Sequence, residues 1–148
     1  GGLASIVNVT CIIIVSSASF GIFDSTRLLD GLKEPLHRLA GKITATGATV
    51  LASLLLGGLA CNQTLASMLV HQVCGQLFES KEEQALILED TVILLAALIP
   101  WSIAGSVPLA SVGAPISSML YAVYLYFIPL WAWARAIFRR MRARAKTA

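Results

Sequence analysis

The sequence predicts an all-α, polytopic helical membrane protein that contains a re-entrant hairpin and broken transmembrane helices. Apolar residues make up 57% of the 148 positions and charged residues only 13%, whereas a soluble domain carries about 25% charge. The charges are also segregated, because none occurs in 1–23, 43–78 or 91–134. Uncharged apolar runs of about 18 or more residues are typical of spanning helices. Composition therefore excludes a soluble globular domain, a disordered chain and a disulfide-stabilised scaffold.

The first two segments are predicted to be a spanning helix and a helix that lies at the membrane interface. Residues 3–23 are rich in β-branched side chains, but in lipid such a run can only be helical, because its backbone polar groups must pair within it. In 24–42, apolar residues recur every three or four positions with charges between them, which indicates an amphipathic interfacial helix. Pro35 is expected to bend it.

The run 43–78 is too long for one spanning helix and short for two. As one helix it would measure about 54 Å, against a hydrocarbon core of about 30 Å. Gly57-Gly58 and the polar Asn62–Thr64 interrupt its middle. Either two short limbs form a re-entrant hairpin with Asn62–Thr64 at the tip, or one helix is unwound there. Both arrangements need irregular backbone that is buried in protein or lines a wet cavity.

The C-terminal half is predicted to contain a broken helix, a final span and a basic tail. Three prolines and two glycines within 100–115 predict that the helix 84–114 is broken. Residues 116–134 form the final span, whose aromatic residues lie toward its basic end as an interfacial belt. Residues 135–148 follow as the tail.

Basic residues are concentrated in that tail. Such tails stay in the cytoplasm, so the C-terminus is predicted to be cytoplasmic, with 24–42 on the same face. Anionic lipid head groups would be secondary contacts, and no nucleic-acid partner is expected. The loop 79–83 is cytoplasmic if 43–78 is a hairpin and external if that run crosses the membrane. The basic residues of the tail are Arg135, Arg139, Arg140, Arg142, Arg144 and Lys146.

Two adjacent carboxylates stand inside an otherwise apolar helix. Glu89 and Asp90 lie six and seven residues beyond Glu83, about 9–10 Å along a helix. A carboxylate at the bilayer centre costs about 2.5–3.5 kcal/mol on insertion scales, which favours a cation or proton site. Alternatively the helix begins nearer to Glu89, and both lie in the interface. Neighbours on a helix point about 100° apart, so we predict Asp90 for the ion and Glu89 for a packing or gating contact.

Asn62, Gln63 and Thr64 form a second group of candidates. An unwound stretch offers main-chain carbonyls and side-chain oxygens, which are hard ligands suited to Na⁺. The helix that begins after Thr64 presents its positive end to an anionic group. Alternatively the three residues hydrogen-bond between helices, as polar residues in membrane bundles do. We predict that Na⁺ binds at Asn62 and Asp90.

A second interruption follows Pro100. Ser102 is predicted to supply an oxygen ligand there, and Trp101 to form a wall of the cavity. Two interrupted hydrophobic segments in one chain are the sequence feature that best indicates a transporter site.

Four stretches of the sequence resemble the NhaC-type Na⁺/H⁺ antiporter family, which belongs to a wider ion-transporter superfamily. The resemblance extends over the whole chain and corresponds to the C-terminal portion of a family member. The opening Gly-Gly-Leu also fits a fragment of a longer protein. The stretches are Asp30-Gly-Leu-Lys-Glu-Pro-Leu, Ala60-Cys-Asn-Gln-Thr-Leu-Ala, Leu88-Glu-Asp-Thr and Leu98-Ile-Pro-Trp-Ser.

The resemblance implies one half of an inverted-repeat transporter in the bacterial inner membrane, with the missing N-terminal half as partner and a homodimer as a possible assembly. Members of the family exchange Na⁺ for H⁺ without a cofactor, and some exchange organic acids such as malate and lactate. By motif, Asn62, Gln63, Glu89 and Asp90 carry over.

We therefore predict a Na⁺/H⁺ antiporter in which the two ions compete for Asp90. The alternatives are a Na⁺/H⁺-coupled organic-acid exchanger and a non-transport membrane assembly domain. An enzyme is not expected, because the sequence has neither a nucleophile paired with its base nor an H-E-x-x-H metal motif.

Overall fold

The computed structural model describes residues 29–147 and, before them, positions 7, 10, 11, 13–15, 18, 21 and 22. All the regular elements between residues 29 and 147 are helical, so the all-α prediction is confirmed. The predicted span 3–23 lies mostly outside the described residues. In the part of the chain that the structure describes, no helix combines the length and the apolar character that a membrane crossing requires.

The first fully described helix, α1, covers Asp30–Lys42 and is amphipathic. Leu36 is buried, whereas Glu34 and Arg38 on another face are exposed and pair at 3.2 Å across one turn. Pro35 lies inside the helix. The apolar face of α1 rests on the core, and its charged face is exposed.

The run 43–78 forms two helices that fold back on each other. Helix α2 covers Ala45–Ala60 and helix α3 covers Gln63–Cys74. The Cys74 side chain, at the end of α3, hydrogen-bonds with Thr49 near the start of α2, so the two helices are antiparallel. Residues 43–78 therefore contain a helical hairpin in this structure.

Residues 81–97 form one continuous helical rod with an irregular centre. Helix α4 covers Lys81–Leu88, a π-helical segment (the π segment) covers Glu89–Ile93, and helix α5 covers Leu94–Ala97. A π-helix inserts an extra residue into a turn, and such insertions occur frequently at functional sites.

The rod begins three residues before its predicted start at Gln84. The reason is the side chain of Ser80, which accepts a hydrogen bond from the Glu83 amide at 3.0 Å and so caps the helix. A serine followed by acidic residues is a capping pattern that the hydrophobic periodicity alone did not reveal.

After Ala97 the chain turns and forms helix α6, Ile103–Val112, which ends at Gly113 with φ of 67°. The break expected within 84–114 therefore lies at residues 98–102. Pro108 does not break the chain again, because it lies inside α6 on an exposed face where a missing hydrogen bond is tolerated.

A 3₁₀ segment, Ile116–Tyr121, precedes the last helix, α7, which covers Val123–Thr147. This differs from the expected single helix over 116–134 followed by a separate tail. Residues 116–121 wind more tightly after Pro115. The tail is rich in arginine and alanine, which favour helix, so it continues α7 without interruption.

Arg140 of α7 caps the end of α1. Its guanidinium donates to the carbonyl oxygens of Gly41, Lys42 (3.1 Å) and Ile43 (2.5 Å). The last carbonyls of a helix have no partner within the helix and carry its negative end, so a half-buried cation there stabilises the helix end. This contact fixes the orientation of α7 relative to α1.

The core lies around the α2–α3 hairpin. Helix α2 packs against α1, α3, α4, the π segment, α5 and α7. Small residues on α2 allow this close approach, and its buried hydroxyls of Thr49 and Ser53 donate to carbonyls four residues earlier, at 3.0 and 2.7 Å. The buried cluster includes Ala48, Ala52, Leu56, Ala60, Leu65, Ala66, Leu69, Val70, Val73 and Val92.

Candidate functional site

The first helix break, at the tip of the hairpin, has a strained backbone and a polar cap. Cys61 adopts a left-handed conformation with φ of 54°, which is uncommon for a residue other than glycine. Asn62 follows as the N-cap of α3, and its Oδ1 accepts a hydrogen bond from the Thr64 amide at 2.9 Å. Thr64 itself is exposed. The break therefore starts α3 afresh, with its positive end at Asn62.

The second break, between α5 and α6, is built in the same way. Ser102 is the N-cap of α6, and its Oγ accepts a hydrogen bond from the Ala104 amide at 3.3 Å. The side chain is only 1% exposed. The Ser102 carbonyl also accepts from Ser106 Oγ at 2.8 Å. The hydroxyl predicted as an ion ligand thus serves the start of a helix in this structure.

Two hydrogen bonds join the two breaks directly. The Ile103 amide donates to the Cys61 carbonyl at 3.0 Å, and the Trp101 indole N–H donates to the Gly58 carbonyl at 2.8 Å. The indole ring is 60% exposed. The structure therefore gives Trp101, predicted as a cavity wall, a second role: it holds the turn after α5 against the end of α2.

The two carboxylates lie in the π segment. Glu89 is exposed, Asp90 is half-buried, and the adjacent Thr91 is fully buried with its hydroxyl on the Ile87 carbonyl at 2.5 Å. Because the rod begins at Lys81, the carboxylates stand about 12 Å from its start. The predicted helix start, Gln84, was closer to the carboxylates than the observed one. The alternative interpretation, in which the helix begins nearer to Glu89, would have shortened this distance.

Gln63 connects the first break to the π segment. Its Nε2 donates to the Ile93 carbonyl at 3.3 Å. An extra residue in a π turn misaligns carbonyls that an α-helix would pair, and a side chain from a neighbouring helix can then bond one of them. The structure thus links the three groups of predicted residues, which lie at 62–64, 89–90 and 101–102. Two hydrogen bonds join the two breaks, and the Gln63 side chain joins the first break to the π segment that carries the carboxylates.

The chemistry available at this junction is that of oxygen ligands and helix ends. Two helix N-termini, of α3 and α6, begin at the joined breaks. Amide, hydroxyl and carbonyl oxygens occur beside a segment that carries a half-buried carboxylate. Such a set suits a small hard cation or a proton better than it suits a nucleophilic reaction.

Comparison with curated proteins finds a relative among sodium/proton antiporters. The sequence is 25% identical over 136 residues to the Na(+)/H(+) antiporter NhaC of Bacillus subtilis (strain 168). This chain is a distant homologue of that protein. The alignment covers 88% of this chain and 30% of the relative, in its C-terminal portion. No protein-family model and no solved structure matches the chain.

A cavity of about 460 Å³ lies apart from the junction of the two helix breaks. It is lined by the start of α2, the loop before α4 and the arginine-bearing part of α7. None of the predicted site residues lines it.

Sequence reasoning missed several contacts that shape the candidate site. The Arg140 contact with α1 and the π geometry are two of them. A third is the pair of His71 Nδ1 and Gln84 Nε2, which are 2.8 Å apart between α3 and α4. The positions of His71 and Gln84 in otherwise apolar helices could have suggested this pair. No local sequence pattern indicates which group Arg140 binds or where a π turn forms.

Replacing Trp101 by phenylalanine is expected to loosen the junction without emptying the space that the ring fills. The change removes the indole N–H and leaves the Gly58 carbonyl without its donor, at a cost of about 1 kcal/mol in unfolding free energy. Thermal unfolding followed by circular dichroism measures the loss. The control is Trp131→Phe, because Trp131 is equally exposed, at 61%, on α7. Equal effects of the two substitutions would contradict a structural role for the Trp101 hydrogen bond.

Proposed function

We propose that this chain is the C-terminal portion of a secondary antiporter that exchanges Na⁺ for H⁺ across a bacterial plasma membrane. The observation that carries the proposal is the contact of Gln63 with the π segment, because it brings a polar helix break to the segment that holds Asp90. The likeness to NhaC supports a cation/proton antiporter. The choice of Na⁺ and the assignment of residues are our proposal.

The proposed setting is a lipid bilayer. Long charge-free runs favour it, and so do large apolar side chains on the outside of the bundle, such as Leu55, Leu59 and Leu120, which are 63%, 61% and 75% exposed. In this setting the α2–α3 pair is the re-entrant hairpin, 84–114 is the broken helix, and α1 lies at the interface. The C-terminus is cytoplasmic, and the N-terminal half of the transporter supplies the rest of the site.

The proposed ion site uses the carboxylate of Asp90 as its charged ligand. Asp90 is the half-buried member of the acidic pair, so Na⁺ or H⁺ bound there is shielded from bulk water. Asn62, Gln63, Thr64 and Ser102 supply neutral oxygens, with Na⁺ held between Asn62 and Asp90.

Glu89, the exposed member of the pair, makes a packing or gating contact. Because Na⁺ and H⁺ neutralise the same carboxylate, the site holds one or the other. The site is reached from each side in turn as the two halves of the transporter move, which makes the exchange obligatory.

A second candidate is an exchanger of organic acids coupled to Na⁺ and H⁺. The paired N-termini of α3 and α6 favour it, since a carboxylate substrate binds well at positive helix ends. The third candidate, a membrane assembly domain without transport, does not account for two joined helix breaks beside a carboxylate.

The test uses the full-length protein in everted membrane vesicles. A proton gradient is established, Na⁺ is added, and a pH-sensitive dye follows its dissipation. Collapse of the gradient on Na⁺ alone is expected. No response to Na⁺ alone but collapse once malate or lactate is added would replace the first candidate with the second. No response under either condition would favour the assembly domain.

A further inference from the structure

The cavity of about 460 Å³ lies where the start of α2, the loop before α4 and α7 come together. Its volume is in the range of small-molecule sites. Four of its charged lining residues have no ion-pair partner among the described residues. Glu79 and Glu83 lie just before and in α4, and Arg135 and Arg139 lie on α7.

Two guanidinium groups of α7 face the cavity without partners. Arg135 and Arg139 are four residues apart, so they lie on the same helix face. Neither makes an ion pair or hydrogen bond with another residue that the structure describes. A third arginine of the lining, Arg140, is already engaged with the carbonyls at the end of α1. Two positive charges therefore remain available to a ligand.

The two carboxylates of the lining are also without a cation. Among the side chains of residues 29–145, no basic nitrogen comes within 4.0 Å of Glu79 or Glu83. Opposite charges that line one cavity yet stay apart leave room for a group between them. Besides Arg140, which is bonded to the carbonyls at the end of α1, the lining offers two unpaired guanidinium groups and two unpaired carboxylates. A ligand that carries both a negative and a positive group can pair with each, whereas the carboxylates would repel a simple anion.

The start of α2 adds hydrogen-bond donors to the lining. Thr46 lines the cavity, is only 5% exposed, and its hydroxyl makes no hydrogen bond within the described part of the chain. The first intrahelical bond of α2 is donated by Ala48 to Thr44, so the amides of Ala45 and Thr46 come before it and are free to bind an anion. The Thr46 hydroxyl is therefore available to a ligand in the cavity.

We propose that this cavity binds a phosphodiester that carries a primary ammonium group, which is the chemistry of an ethanolamine phospholipid head group. The phosphate lies against Arg135, Arg139 and the start of α2, including Thr46. The ammonium group lies against Glu79 and Glu83. Apolar residues of the same lining, Phe78 and Ile87, accept the first methylenes of the lipid. The inference does not require that the chain transports ions.

Native mass spectrometry of the detergent-purified protein tests the proposal with ethanolamine, choline and glycerol phospholipids of identical acyl chains. Ethanolamine lipid is expected to bind about tenfold more tightly than choline lipid, because three N–H donors can bond carboxylates and a trimethylated nitrogen cannot. Glycerol lipid, which lacks a positive charge, is also expected to bind more weakly. Equal binding of all three would overturn the proposal.

Soluble glycerophosphoethanolamine distinguishes the two sources of this chemistry. It carries the same head group without acyl chains. Weaker binding than that of the lipid at equal concentration is expected and identifies the membrane as the source. Tighter binding of the soluble compound would overturn the assignment to a lipid.

Two pairs of substitutions test the two ends of the head group. The double variant Glu79→Gln and Glu83→Gln is expected to abolish the preference for ethanolamine over choline while binding persists. The double variant Arg135→Gln and Arg139→Gln is expected to weaken both lipids about tenfold. All four side chains are exposed, so the fold is expected to persist, and circular dichroism checks it.

Matched controls come from the same helices. Glu82→Gln and Arg142→Gln remove the same charges at exposed positions that do not line the cavity. They are expected to leave lipid binding and selectivity unchanged. An unchanged ethanolamine preference in the glutamate double variant, or an equal loss in the controls, would overturn the proposal.

Discussion

Replacing Asp90 by asparagine is expected to reduce Na⁺-dependent proton exchange to the background of empty vesicles, while the protein still inserts and folds. Asparagine keeps the size and an oxygen of aspartate but can neither bind a proton nor neutralise Na⁺ at neutral pH. If both ions use this carboxylate, no remaining group alternates between them. The dye assay in everted vesicles measures the loss, and immunoblotting of washed membranes measures insertion.

Two matched substitutions make the result specific to Asp90. Glu82→Gln removes a carboxylate from the exposed first turn of α4 and is expected to leave exchange intact. Glu89→Gln, which changes the exposed neighbour, is expected to alter the rate without abolishing exchange. Full exchange by the Asp90 variant would refute the assignment, and abolition by the Glu89 variant alone would move the ion to Glu89.

Replacing Gly105 by alanine is expected to destabilise the fold more than any other glycine-to-alanine change in the described helices. A methyl group there would lie inside van der Waals contact of the Ala97 carbonyl and 2.5 Å from Met119 Cε. Met119 is flexible, but Ala97 presents backbone, so α6 must move away from α5. Overpacking of this kind costs about 1–3 kcal/mol, which exceeds the gain of about 1 kcal/mol that alanine brings to a helix.

The measurement is thermal unfolding in one detergent, followed by circular dichroism. After that gain the net loss is up to about 2 kcal/mol, which corresponds to a decrease of up to roughly 8 °C in the midpoint for a chain of this size. Gly31→Ala is the control, because no other atom lies within 4 Å of the place that its added methyl group would take on α1. That variant is expected to be as stable as the original or slightly more so. A Gly105 variant as stable as the control would show that α6 is not held closely against α5.

Much of the fold could be predicted because its main signals are local. The cluster of glycines and amides in 57–64 predicts an interruption, and the structure has one at Cys61 and Asn62. Pro100 likewise indicates the turn after α5. By contrast, the extension of α7 through the basic tail depends on the balance between arginine charge repulsion and helix propensity. The 3₁₀ winding of 116–121 depends on packing beyond that segment.

The candidate site was less predictable, since its decisive contacts join residues far apart in sequence. Asn62 and Ser102 were identifiable as polar residues at breaks, but their use as helix caps depends on backbone geometry. The hydrogen bond from Trp101 to Gly58 requires that α2 and α5 end side by side. The π segment around Asp90 has no sequence signature, because a single inserted residue leaves the hydrophobic pattern almost unchanged.

The contact between Arg140 and the end of α1 also imposes an order on biosynthesis. The guanidinium and the carbonyls that it bonds are 97–99 residues apart in the chain. At a translation rate of about 5–20 residues per second, α1 leaves the ribosome about 5–20 s before Arg140. During that interval the carbonyls of Gly41, Lys42 and Ile43 must bond to water or to other groups. Helix α1 therefore acquires its final C-terminal contact only after α7 has been made.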